Sequence, residues 1–179
     1  MSNSSNTSLA RNGADRLARV EETGMREFLA FVLADETYAL PLSCVREILR
    51  LPLIAEVPRA PGEVLGIISV RGEVTTLIDL RHKLSLPKAP LGARTRVLLV
   101  DQGEETMGLL CDRVLQVHRL SESEVELASV LGSETSSYVM GIGRPGIRKG
   151  QAPARGDAAA HDILILLDPI ALLKRMGHG

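Results

Sequence analysis

The apolar residues of this chain arrive in short runs. FLAFVL, YALPL, VLGIISV, VTTLIDL, RVLLV, MGLLC, RVLQV, YVMGIG and ILILL are such runs, and most are followed at once by a charged residue. A core helix needs about ten or more residues of sustained 3.6-residue periodicity, and runs this short do not supply it. Short segments that are rich in β-branched residues, with turn signals between them, read as strands. About ten such strands specify a small barrel or a sandwich, so the chain is expected to be all-β.

The clearest unit is GIISVRGEVTTLIDLR, from Gly66 to Arg81, in which one Arg71-Gly72-Glu73 break separates two apolar runs and predicts a hairpin. Upstream, EFLAFVLAD and TYALPL read as two strands joined by a turn at Asp35-Glu36, and LPLIAEVP as an extended segment closed by Pro58. SCVREIL places Val45, Ile48 and Leu49 at i, i+3 and i+4, the spacing of a short amphipathic helical turn. Ser121 followed three residues on by Glu124 predicts a capping box for one further turn. Asp79 and Asp168 each end an apolar strand and read as N-caps. Pro169 at the first helical position opens a closing helix over 169–176. The glycines of Gly141-Ile142-Gly143 read as a tight β-turn.

A weak internal repeat is visible, with a period of roughly 70 residues. ETYALPLSCVREIL is similar to ETMGLLCDRVL, and GIISVRG…LIDLRHKL to GIGRPG…LLDPIALL. Two similar β units would account for it, one expected over about 36–90 and the other over about 91–168. Residues 1–24 read as a flexible tail before a domain over 25–179. The Gly-, Ala- and Pro-rich stretch at 144–162 reads as a mobile loop.

Composition narrows the function. Aromatic residues are 2% of the chain, with no tryptophan, and the formal net charge is -1. Neither a stacking platform nor a basic face is available for nucleic acid. No apolar run reaches the roughly 18–20 residues of a membrane span, and no secretory h-region precedes the domain, so a cytoplasmic location without direct membrane insertion is expected. Cys44 and Cys111 form no CxxC pair and read as buried thiols. His82, His118, His161 and His178 do not stand at metal-ligand spacing. Gly141 to Gly146 spells G-x-G-x-x-G, but Pro145, Gly146, Gly150 and Pro153 forbid the helix a dinucleotide needs there. No catalytic set, metal site or cofactor is expected. Glu47 and Arg71, charges set inside apolar sequence, are then the informative residues. Each is either the solvated face of its element or a polar anchor beside a partner surface.

EFLAFVLADETYALPLSCVREIL, VPRAPGEVLGIISVRGEVTTLIDLR, MGLLCDRVLQVHRLSESEVE and YVMGIGR…DILILLDPIALL follow the order and character of the CheW-like family. The resemblance runs from Arg26 to Met176. It implies two five-stranded SH3-like β-barrels sharing a core, and no enzymatic activity. Implied too is an adaptor role between the cytoplasmic tip of methyl-accepting chemoreceptors and the regulatory domain of a CheA-type histidine kinase. Other CheW-like domains would be neighbours in receptor arrays at the inner membrane. The family pattern implies that Val45, Glu47, Gly66, Arg71, Gly108, Val114 and Val117 contact partners. The extended tail and the long 144–162 stretch depart from the family. They suit an alternative, a regulator of a related motility or developmental pathway that has lost kinase coupling.

Overall fold

The structure is a computed structural model, and it describes residues 24–103, 105–128, 137–146 and 163–174. Eleven strands are described: β1 (Met25–Leu33), β2 (Glu36–Pro41), β3 (Val45–Arg50), β4 (Val64–Val70), β5 (Glu73–Asp79), β6 (Arg96–Gln102), β7 (Glu105–Cys111), β8 (Arg113–Ser121), β9 (Val125–Leu127), β10 (Val139–Gly143) and β11 (Leu164–Leu167). The helical elements described are 3-10 turns at Leu42–Cys44 and Glu122–Glu124, the single turn α1 (Leu80–Lys83) and α2 (Pro169–Lys174). The all-β expectation holds. The expected tail 1–24 lies outside the described residues except for Gly24, as do most of the 144–162 stretch and the last two residues of the expected closing helix.

The strands form two sheets, ordered β8-β1-β2-β11-β10-β9 and β3-β6-β7-β5-β4. Each is mostly antiparallel and contains one parallel pair, β2 with β11 and β5 with β7. The sheets do not divide the chain at the expected boundary near residue 90. The six-stranded sheet takes β1 and β2 from the first half and β8 to β11 from the second, while the five-stranded sheet takes β3 to β5 and then β6 and β7. The repeat explains this. β6, β7 and β8 follow one another as β1, β2 and β3 do, and β10, β11 and α2 as β4, β5 and α1 do. Each copy contributes its opening hairpin to one sheet and the rest to the other.

The counterpart positions behave alike. Gly66 and Gly141 both sit at a register shift. A Cβ on Gly66 would lie 2.3 Å from the Ala55 carbonyl oxygen, and one on Gly141 would lie 2.4 Å from that of Glu126. Both glycines let a crossing segment approach the strand backbone to backbone. Asp79 accepts from the backbone N–H of Arg81 at 2.9 Å, and Asp168 from that of Ile170 at 2.9 Å. Both expected N-caps are present. The Ser121 N–H donates to Glu124 Oε2 at 2.8 Å within the expected capping box.

Alternation along the central strands sorts the core into three. Phe28, Ala30, Ala39, Leu120 and Leu166 fill the interior of the six-stranded barrel. Ile68, Leu77, Val97, Leu99 and Leu110 fill the other. Leu29, Phe31, Leu33, Leu98, Val100 and Leu109, with Leu172 and Leu173 of α2, form a third cluster shared by both. Strands buried on both faces explain why β1 reads FLAFVL without polar interruption.

Two local expectations fail. VREIL is the strand β3, whose residues alternate between half-buried and exposed, and only Leu42–Cys44 before it turns helically. Three apolar residues at i, i+3, i+4 fit either element in so short a run. The register shift between Val45 and Glu47 lets a strand put Val45 and Ile48 on one face. Gly141 and Gly143 lie within β10, and the turn follows at Pro145-Gly146.

Candidate functional site

The hairpin of β4 and β5 ends in a two-residue loop, because Val70 pairs with Glu73. Arg71 (φ 52) and Gly72 (φ 87) both take positive φ, as a type I′ turn requires. Such a turn matches the strand twist. It also aims the Arg71 side chain out of the sheet edge, where that side chain is 71% exposed. Glu47 arrives from β3 across the barrel. Its two carboxylate oxygens accept from Arg71 Nη1 and Nη2, each at 2.7 Å, a two-pronged fit of planar guanidinium to carboxylate. The hydrogen bonds to Glu47, and secondarily its charge, hold the Arg71 guanidinium above its ordinary pKa. The structure thus joins the two charges singled out in the sequence.

Beside Arg71 lies a hollow of about 90 Å³, lined by Arg46, Val70, Arg71, Glu73, Thr75, Leu99 and Thr106. Arg46 Nη1 donates to Thr106 Oγ1 at 3.1 Å, and Thr106 in turn donates to Asp101 at 2.7 Å. Polar side chains therefore close the mouth of the five-stranded barrel over Leu99.

The valines stand elsewhere. Val45 pairs with Val100 and packs on the shared core, whereas Glu47 pairs with Leu99 of the barrel interior. The register shift between them turns Val45 and Glu47 to opposite faces of β3. Val114 pairs with Phe31 and also packs on the shared core. Val117, opposite Leu29, is 42% exposed. Ile48 pairs with Leu98 of the shared core and is 43% exposed. It is an exposed apolar residue on the Val45 face of β3 that sequence reasoning did not single out as a partner contact. The bulge between Val45 and Glu47 turns Ile48 to the face of Val45, a placement that strand alternation in VREIL does not give. The seven predicted residues therefore separate: Glu47 and Arg71 at a barrel mouth, and the valines along the margin of the shared core. Gly66 and Gly108 are buried. A Cβ on Gly108 would meet Val97 Cγ1 at 3.0 Å and Leu77 Cδ1 at 3.1 Å, so both glycines serve packing.

Burial pushes the Cys44 thiol up to about 11 and the Cys111 thiol up to about 12. Neither has thiolate character at neutral pH. Among the described residues no group of three or more His, Cys, Asp or Glu side chains could hold a metal ion, and no helix is long and apolar enough to cross a membrane.

The family model described as CheW-like domain matches residues 27–176. Chemotaxis protein CheW of Helicobacter pylori is 30% identical over 118 residues, covering 66% of this chain and 72% of that protein. Protein FrzA of Myxococcus xanthus is 29% identical over 128 residues, covering 72% of this chain and 80% of that protein. The crystal structure of the scaffolding protein TtCheW from Thermoanaerobacter tengcongensis superposes with a TM-score of 0.67 at 23% identity, covering 80% of this chain and 88% of that one. That likeness is one of fold.

Proposed function

The chain belongs to the CheW-like family, and from that premise we propose that it is a non-enzymatic, cytoplasmic adaptor that couples chemoreceptors to a CheA-type histidine kinase. The observation that carries the reading is the extent of the family match. It runs over 27–176, from β1 to the end of α2, and so takes in both sheets and the shared core. An adaptor needs separate surfaces for separate partners, and the division of the candidate residues supports that arrangement. The apolar margin with Ile48, Val114 and Val117 suits an amphipathic helix such as a receptor tip, since helix-in-groove recognition rests on apolar contacts. The Glu47–Arg71 pair suits the polar rim of a second interface, toward the kinase regulatory domain or another CheW-like domain.

The test is co-precipitation of the full chain with a CheA-type regulatory domain and a chemoreceptor cytoplasmic fragment. Retention of both is expected, and retention of neither would sink the reading. Retention of the receptor fragment without the kinase domain would support a second reading, a regulator of a related motility or developmental pathway. The similarity to Protein FrzA is compatible with that second reading.

A further inference from the structure

Lys83 ends the single turn α1, yet its side chain is only 1% exposed. An ammonium withdrawn from water is costly unless it is matched. Here Nζ donates to Glu63 Oε1 at 3.2 Å and lies 5.6 Å from the centroid of the Tyr138 ring, within cation–π range. These contacts come from different barrels. Glu63 stands immediately before β4 of the five-stranded sheet, and Tyr138 immediately before β10 of the six-stranded one. They are counterparts in the repeat. The Glu63 carbonyl accepts the Asp79 N–H at 2.8 Å, and the Tyr138 carbonyl accepts the Asp168 N–H at 2.8 Å.

Arg81, two residues earlier on the same turn, makes a parallel connection. Its Nε donates to Asp112 Oδ1 at 2.9 Å, and Nη2 donates to Asp112 Oδ2. The same carboxylate accepts the Ala34 N–H at 2.9 Å, and the Asp112 N–H donates to the Val32 carbonyl at 3.0 Å. Asp112 is thereby tied to the β1–β2 turn of the six-stranded sheet. Two cations of one helical turn in one barrel thus each reach a group set against the other: Tyr138 before β10, and Asp112 at the β7–β8 junction.

We propose that α1 is a clasp that fixes the setting of the two barrels, with Lys83 and Arg81 as its positioning residues. The apolar contacts of the shared core are non-directional and would tolerate small sliding of one barrel over the other. A bidentate guanidinium and an ammonium centred between a carboxylate and a ring are directional, and they select one setting. On the adaptor reading, this setting fixes how a partner bound to one barrel is presented to a partner bound to the other. The clasp itself does not depend on that reading.

The test needs no partner. Spin labels are placed on the full chain through Ser69→Cys in β4 and Gln116→Cys in β8, both exposed positions on different sheets. The parent chain serves as control for labelling of Cys44 and Cys111. Pulsed electron paramagnetic resonance then reads the separation. The doubly labelled chain, otherwise unaltered, should show one narrow distance distribution. Lys83→Met and Arg81→Met should broaden or shift it while the circular dichroism stays that of a folded β protein. If Lys83→Met does not fold, Tyr138→Leu removes the cross-barrel contact and leaves the Lys83–Glu63 pair, and it should broaden the distribution in the same way. An unchanged distribution in the folded variants would overturn the proposal and leave Lys83 and Arg81 as local charge partners only.

Discussion

At the scale of the residue, the Arg71 position combines a backbone requirement with an exposed charge. The positive φ belongs to the turn and the guanidinium to Glu47. Because the pair is exposed, its contribution to stability is screened. Arg71→Ala is therefore expected to leave the Tm nearly unchanged and to weaken partner binding several-fold, chiefly through the association rate, as loss of a rim charge does. Calorimetry and titration on the same preparation separate the two. Intact binding with a fallen Tm would make Arg71 a structural residue. The thiols give a pH prediction. Burial raises Cys44 to about 11 and Cys111 to about 12, above the ordinary value of about 8.5 that an unfolded chain restores. A raised folded pKa contributes stability that is full below the unfolded pKa and is lost as pH rises toward the folded one. The urea midpoint should hold from neutrality to about pH 8.5 and fall above it. Alkylation of either thiol in the native state should be slow at pH 8. Fast alkylation would mean that the buried setting opens.

At the scale of the element, what could be read in the sequence was what short-range chemistry controls. The hairpin at Arg71-Gly72, the caps at Asp79 and Asp168 and the Ser121–Glu124 box are all decided within a few residues, and all are present. VREIL misled because a bulge makes strand and helical turn share one spacing. Gly66 and Gly108 were attached to partner contact by family resemblance, yet what demands glycine there is distant in sequence: the Ala55 carbonyl in one case, Val97 and Leu77 in the other. The union of Glu47 with Arg71 could not be read either, since it needs the register of β3 on β6. One prediction belongs to the connection between β10 and β11. Gly143 pairs with Leu164, so the two strands could be joined directly. Deleting 147–162 leaves Arg144, Pro145, Gly146 and Ile163 to close the hairpin, and Glu124 still accepts the Gly146 N–H at 2.7 Å. A short closure carries a slightly smaller entropic cost than a long one. The Tm is expected to stay level or rise a little in a thermal melt. A large drop would show that the deleted segment packs on the body.

At the scale of the whole molecule, the exchange of hairpins between the two copies means that neither half owns a complete sheet. Residues 24–90 contain β1 and β2 without the β8 and β11 that flank them, and β3 without β6. Fragments 24–90 and 91–179, expressed separately, should each give the circular dichroism of an unfolded chain. Mixed together, they should recover strand signal. A half that folds alone would contradict the reliance of each sheet on both copies. The same strand order bears on synthesis from the ribosome. The five-stranded sheet spans Val45–Cys111 without interruption and can pair as soon as that stretch has emerged. The β1–β2 hairpin is made first but completed last, because its parallel partner β11 ends at Leu167. For most of translation the first strands made present two open edges, the exposure that invites mispairing and chaperone capture. The nascent chain therefore matures from its middle outward, and the β1–β2 hairpin waits for β11 to be translated.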